Sequence, residues 1–139
     1  MMPNLAARPA NMRWVSPYIT VADVDSAITF YEKAFGIKLL NKVADDSGPT
    51  MFAEMQYKNE VLMLKKEIKK KKKAKAPKTS GNESPIGLYL YCDNVDQFFE
   101  SAAKQGAQVV DKPDDMFWGD RMCRLGDPEG YVWSFATHK

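Results

Sequence analysis

The chain repeats itself, and the repeat constrains the fold more than any other feature. "WVSPYITVADV" (14–24) has the β-branched and aromatic content of a strand. "DVDSAITFYEKAFG" then carries Asp23 or Asp25 as a helix cap and Gly36 as a stop. Ala27, Phe30, Tyr31 and Ala34 recur at three and four, giving one apolar face. "IKLLNKVA" (37–44), "TMFAEMQY" (50–57) and "VLMLK" (61–65) follow as strands, with turns at 47–49 and 58–60. The same order, βαβββ, returns downstream. "IGLYLYCDNV" (86–95) is a strand, "VDQFFESAAKQG" (95–106) a helix, and "AQVVDKP" (107–113), "DRMCRLG" and "YVWSFAT" are strands. The copies register at about 71 residues: Val24-Asp25 falls on Val95-Asp96 and Lys33 on Lys104. Few identities survive, but the matching element order points to a duplicated unit.

The expected class is α+β: two βαβββ modules forming a curved mixed sheet around a cleft, helices on the convex side. Module one covers about 13–66 and module two about 85–138, within a single domain of 139 residues. A Lys-rich linker, about 67–84, joins them, and residues 1 to about 12 read as a loose arm. Side by side, the modules would make one larger sheet.

Charge is unevenly spread. Segment 65–78 holds nine lysines and one glutamate, and the rest of the chain carries 11 basic and 17 acidic residues, a net of −6. The lysine run suits nucleic acid or an anionic membrane surface. It lacks aromatics for base stacking, and runs of like charge are commonly solvated loops. No run approaches a membrane span, and "MMPNLAARPANMRW" has no apolar leader core. Cys92 and Cys123 lack CxxC spacing and read as reduced core thiols, so the expected location is cytoplasmic. There is no P-loop, no GxGxxG after a strand and no GxSxG. The one histidine, His138, gives little support to a Ser-His or Cys-His nucleophile pair.

"SPYITVADVDSAITFYEKAFGIK", "YLYCDNVDQFFESAAKQGAQVV" and above all "MFWGDRMCRLGDPEGYVWSFATHK" resemble the vicinal oxygen chelate superfamily. More narrowly they look like the PhnB-like branch of its glyoxalase/bleomycin-resistance proteins. The resemblance covers about residues 13–138 and implies paired modules around a cleft, often in a homodimer. Enzymes of the superfamily hold a divalent metal through His, Glu or Gln on four strands. Carried over, those positions fall on Pro17, Gly87, Ser134 and about Leu64. None is a normal ligand for zinc, nickel or manganese, so neither metal nor cofactor is expected.

The candidate ligand-binding residues follow from alternation and from the resemblance. The last strand aims Ser134 at the cleft, with Trp133 and Phe135 on the opposite, core side. Tyr89 and Tyr91 share a strand face with Gly87 and would wall the cleft. Phe117 and Trp118 form an aromatic loop, and Arg121 either meets an anionic or carbonyl group or pairs with an acid. Phe52 and Glu54 share a face of the third strand, where Glu54 is a lone base, a cation partner or a solvated side chain. Three functions stay open: metal-independent small-molecule binding in an aromatic cleft, a lyase or dioxygenase-type enzyme with a non-standard site, and an interaction module working through its lysine loop.

Overall fold

The computed structural model describes residues 6–139, so the first five residues of the expected arm lie outside the described residues. Module one contains β1 (Tyr18–Val21), α1 (Val24–Phe35), β2 (Lys38–Ala44), β3 (Thr50–Tyr57) and β4 (Glu60–Lys66). Module two contains β5 (Leu88–Tyr91), α3 (Val95–Lys104), β6 (Gln108–Asp115), β7 (Asp120–Gly126) and β8 (Val132–His138). A short α2 (Pro77–Ser80) sits in the linker. Its sequence signal is Pro77 at the first helical position, where the missing N–H costs nothing.

The helix ends are built as the sequence specifies. Asp23 Oδ1 accepts from the Ser26 N–H at 3.0 Å, and Asn94 Oδ1 accepts from Gln97 N–H at 3.1 Å. Gly36 closes α1 in the left-handed conformation, φ 67°. β1 and β5 are shorter than their apolar runs. Trp14, Val15 and Ile86 are strongly exposed, and β1 gains a partner strand only at Tyr18, where it pairs with Met63.

Each module folds into a mixed four-stranded sheet, in the orders β1-β4-β3-β2 and β5-β8-β7-β6. The first and last strands of each module pair in parallel, and the rest are antiparallel. The curved sheet therefore comes in two halves that share no strand pairing, in place of the single continuous sheet expected.

What joins the halves is side-chain packing. Val21, Tyr31, Phe35, Leu64, Leu125, Trp133 and Phe135 belong to one buried cluster spanning both modules. Phe35 of α1 lies 5.2 Å from Trp133 and 4.8 Å from Phe135, and Phe135 lies 4.2 Å from Phe98 of α3. Such ring pairs add about 0.5–1.5 kcal/mol each beyond area burial. Trp133 and Phe135 thus face the helices as their alternation requires.

The β7–β8 turn completes the joint. Asp127 accepts from Tyr31 Oη–H (2.6 Å), Trp133 Nε1–H (2.8 Å) and the backbone N–H groups of Glu129 and Tyr131 (2.9 and 3.0 Å). Glu129 is buried and accepts from Ala22 N–H (2.5 Å) and Asp23 N–H (3.3 Å) in module one. Tyr131 Oη–H donates to the Thr20 carbonyl at 2.6 Å. The "GDPEGY" turn is therefore a clasp between modules.

Candidate functional site

Alternation sorts module two into two faces. Leu88, Leu90, Cys123, Leu125, Trp133 and Phe135 look toward the helices and core. The register pairs Tyr89 with Ser134, Ser134 with Arg124, and His138 with Asp120. Directly paired residues share a face, so these side chains belong to the open face.

Asp120 gathers this face. Its side chain is 2 % exposed. Its Oδ2 accepts from Tyr89 Oη–H (2.6 Å), Tyr91 Oη–H (2.8 Å) and Trp118 Nε1–H (3.2 Å). Its Oδ1 lies 2.9 Å from His138 Nδ1. Bonds from Tyr89, His138, Tyr91 and Trp118 hold its carboxyl down at about 2. The same contacts act in reverse on the phenols. Burial and the Asp120 bond raise Tyr89, and the Asp120 bond and burial raise Tyr91. Tyr89 and Tyr91 meet edge-to-face at 5.6 Å. Trp118 is placed by a tight 116–119 turn, closed by Gly119 N–H to Met116 O at 3.1 Å and backed by Met116 N–H to Asp120 O at 2.7 Å. Gly119 supplies the φ of 100° this turn needs.

Beside this cluster lies a hollow of about 830 Å³, lined by Tyr89, Trp118, Ser134, Met116, Met122 and Arg124 with the β6 residues 109–114. The structure thus brings together Tyr89, Tyr91, Trp118 and Ser134 from the sequence-derived set. Phe117 is 97 % exposed, edge-on to Trp118 at 5.0 Å.

Arg121 takes the second of its two expected roles and pairs with acids. It grips Asp96 through Nε (2.9 Å) and Nη2 (3.1 Å), and Asp115 through Nη1 (3.2 Å). Asp96 lies in the first turn of α3, so the guanidinium braces helix to sheet. Arg121 lowers the Asp96 carboxyl, and Lys139 followed by Arg121 lowers that of Asp115. Phe52 and Glu54 lie on the open face of module one, alternating with buried Ala53 and Met55. Phe52 meets Tyr18 edge-on at 6.2 Å. Neither lines the hollow beside Asp120.

Asp120 and His138 are what sequence reasoning missed. Asp120 stood in view inside "DMFWGDR", but its tyrosine partners sit 29 and 31 positions away and His138 18. Alternation puts Asp120 and Arg121 on opposite faces, and the strand register shows which residues share each face.

The register also corrects two carried-over metal positions. Met63 pairs with Tyr18 as Ser134 pairs with Tyr89, so Met63 is the counterpart of Ser134. Leu64 is fully buried on the helix side. By the same offset Gly87 answers to Ser16 rather than Pro17, and Ser16 Oγ is buried without a hydrogen-bond partner. Ser16, Met63, Gly87 and Ser134 offer no imidazole or carboxylate, so this donor set does not fit a divalent metal. Among the described residues, no three His, Cys, Asp or Glu side chains converge as a ligand set.

The comparisons with known proteins agree with this architecture. The family model described as "Glyoxalase/Bleomycin resistance protein/Dioxygenase superfamily" matches residues 12–135. An uncharacterized protein of Mycobacterium bovis is 34% identical over 123 residues, covering 88% of this chain and 81% of that protein. An uncharacterized protein of Mycobacterium tuberculosis has the same identity and length of match, covering 88% of this chain and 72% of that protein. Among solved structures, TioX from Micromonospora sp. ML1 superposes with a TM-score of 0.72 at 22% identity, over 89% of this chain and 97% of TioX. A glyoxalase/bleomycin resistance protein/dioxygenase family enzyme from Burkholderia phytofirmans gives 0.65 at 16% identity, over 89% and 97%. The duplicated βαβββ fold and the match across nearly the whole chain lead to one conclusion: this chain belongs to the glyoxalase/bleomycin resistance protein/dioxygenase superfamily.

Proposed function

We propose that the protein binds a small aromatic, cationic molecule on the open face of module two without a metal. The observation that carries this reading is the Asp120 carboxylate, nearly buried and ringed by Tyr89, Tyr91, Trp118 and His138 beside a hollow of about 830 Å³. No Lys or Arg pairs with Asp120 among the described residues, so its negative charge favours a cation held over the tyrosine and tryptophan faces. Ser134 and Met122 supply a hydroxyl and a soft apolar wall. The resemblance of the "MFWGDR…DPEGYVWSFATH" ending to the PhnB-like branch supports this reading.

A second copy completes the cleft in this reading. The open faces leave Tyr18, Tyr89 and Tyr91 exposed, and the edge strands β2 and β6 leave Val43, Val109 and Val110 exposed. Unpaired apolar strands of this kind are normally covered. A homodimer would lay the Phe52–Glu54 face of one copy over the Asp120 face of the other. Two free, buried cysteines suit a cytoplasmic protein. Among the described residues, no helix is long and apolar enough to cross a membrane.

The Asp120–His138 contact favours a second reading, an enzyme of the superfamily with a non-standard site. A carboxylate on Nδ1 leaves Nε2 free to take a proton.

Thermal unfolding of the tag-free protein tests these readings. The probes are acriflavine as an aromatic cation and zinc, nickel, manganese and magnesium in turn. A ligand at a hundred times its Kd adds about 2.7 kcal/mol, a shift of several degrees for a domain of this size. Expected is a shift with acriflavine that Asp120→Asn and Trp118→Ala abolish. A shift with one metal, reversed by chelation, overturns the reading. Sedimentation at micromolar concentration reports the dimer.

A further inference from the structure

We propose that the loop between β4 and α2 is a docking surface for the phosphate backbone of duplex nucleic acid. Residues 68–74 are exposed without a break and include five consecutive lysines, Lys69 to Lys73. None of these five makes an ion pair among the described residues.

Both ends of the loop are anchored, which separates it from a free basic tail. Glu67 N–H donates to the Val21 carbonyl at 2.8 Å as β4 ends. The Glu67 carboxylate spans the base, accepting from Ala76 N–H and from Thr79 Oγ1–H, both at 2.9 Å. Ala76 and Pro77 are buried, and Lys78 N–H donates to the Glu129 carbonyl at 2.9 Å. Within the loop, the Lys75 ammonium donates to the Ile68 carbonyl. A loop closed in this way crowds its charges onto a short perimeter, where they repel one another. A polyanion relieves that repulsion. The rest of the chain carries a net −6, so an anionic partner is drawn to the loop and away from the body.

The side chains select among polyanions. All nine basic residues of 65–78 are lysines, which meet phosphates as point charges and read no base edges. The segment has no aromatic ring to stack on unpaired bases, which disfavours single strands. Ile68 is its one large apolar side chain. Charge alone draws a polybasic segment to an anionic membrane, but stable adsorption gains from apolar area, of which this loop supplies almost none, so the duplex is favoured. Sequence-independent contact with a duplex backbone remains.

The test is fluorescence anisotropy of a labelled 20-base-pair DNA duplex with the full chain between 50 and 200 mM salt. Five phosphate contacts predict that Kd weakens roughly 500-fold across that range. The variant K69Q/K70Q/K71Q/K72Q/K73Q should lose binding at 50 mM salt while unfolding at the wild-type temperature. The milder K71Q/K72Q should reduce the salt slope by about two. Three outcomes overturn the proposal: no duplex binding by the wild type at 50 mM salt, equal binding by the five-fold variant, or tighter binding to phosphatidylserine vesicles than to duplex.

Discussion

The Tyr31 hydroxyl donates to Asp127 Oδ2 at 2.6 Å, tying α1 of module one to the β7–β8 turn of module two. Burial pushes both groups up, the Tyr31 phenol well above its ordinary value. Tyr31→Phe leaves Asp127 three donors and should cost about 1–2 kcal/mol. Asp127→Ala strands the Tyr31 hydroxyl, the Trp133 indole N–H and two backbone N–H groups, and should cost about 4 kcal/mol. Urea unfolding at pH 7 measures both. A neutral Asp127→Ala would mean the clasp contributes nothing.

Gly130 allows the linker to seat on that turn. Its φ is 94°, and a Cβ there would meet the Lys78 backbone nitrogen at 2.7 Å and Pro77 Cβ at 3.0 Å. Gly130→Ala therefore combines left-handed strain with a backbone clash, about 2–4 kcal/mol together. Gly48 has φ 116° but open space around it, so Gly48→Ala should cost about 1 kcal/mol. Thermal unfolding of the pair separates strain from clash.

Asp120 gives stability a dependence on acid. Its folded value of about 2 lies below the ordinary carboxylate range, about 3.9 for a free aspartate. The folded state thus binds fewer protons between those values. Its contribution is complete above about pH 4 and disappears as pH falls through about 2. The lowered Asp96 and Asp115 act in the same direction. Wild-type protein should be more stable than Asp120→Asn at pH 7, and the gap should close as pH falls from about 4 to about 2. Unfolding temperatures on a pH series of both proteins check this, and a constant gap would count against it.

Both thiols should be unreactive in the folded protein. Cys123 is fully buried, and burial pushes it up to about 12. Burial also raises Cys92. Neither should be alkylated by iodoacetamide at pH 8, because the thiolate is the nucleophile. Mass spectrometry with and without urea should show zero and two modifications. A modified native Cys123 would place it elsewhere.

The local elements were legible because their signals are local. Asp23 and Gly36 bound α1, and the span of β3 coincides with its apolar run. The placement of Trp133 and Phe135 against the helices followed from alternation. Relationships across the sheet were not legible. Taking Leu64 for Met63 is an error of one residue, and in a strand one residue changes the face. Arg121 and Asp120 are adjacent in the chain and serve opposite sides of the sheet. Of the four groups around Asp120, Trp118 arrives through a local turn, and Tyr89, Tyr91 and His138 converge only after β5, β7 and β8 are in register.

The modules are joined covalently through the lysine loop and non-covalently through Phe35, Trp133, Phe135 and the turn at Asp127. A peptide bond broken between Lys69 and Lys73 severs the first connection and touches no side chain of the second. Each half then carries the template that the other needs. This is the architecture of a split protein: two fragments, expressed apart, whose reunion can be read out as a signal.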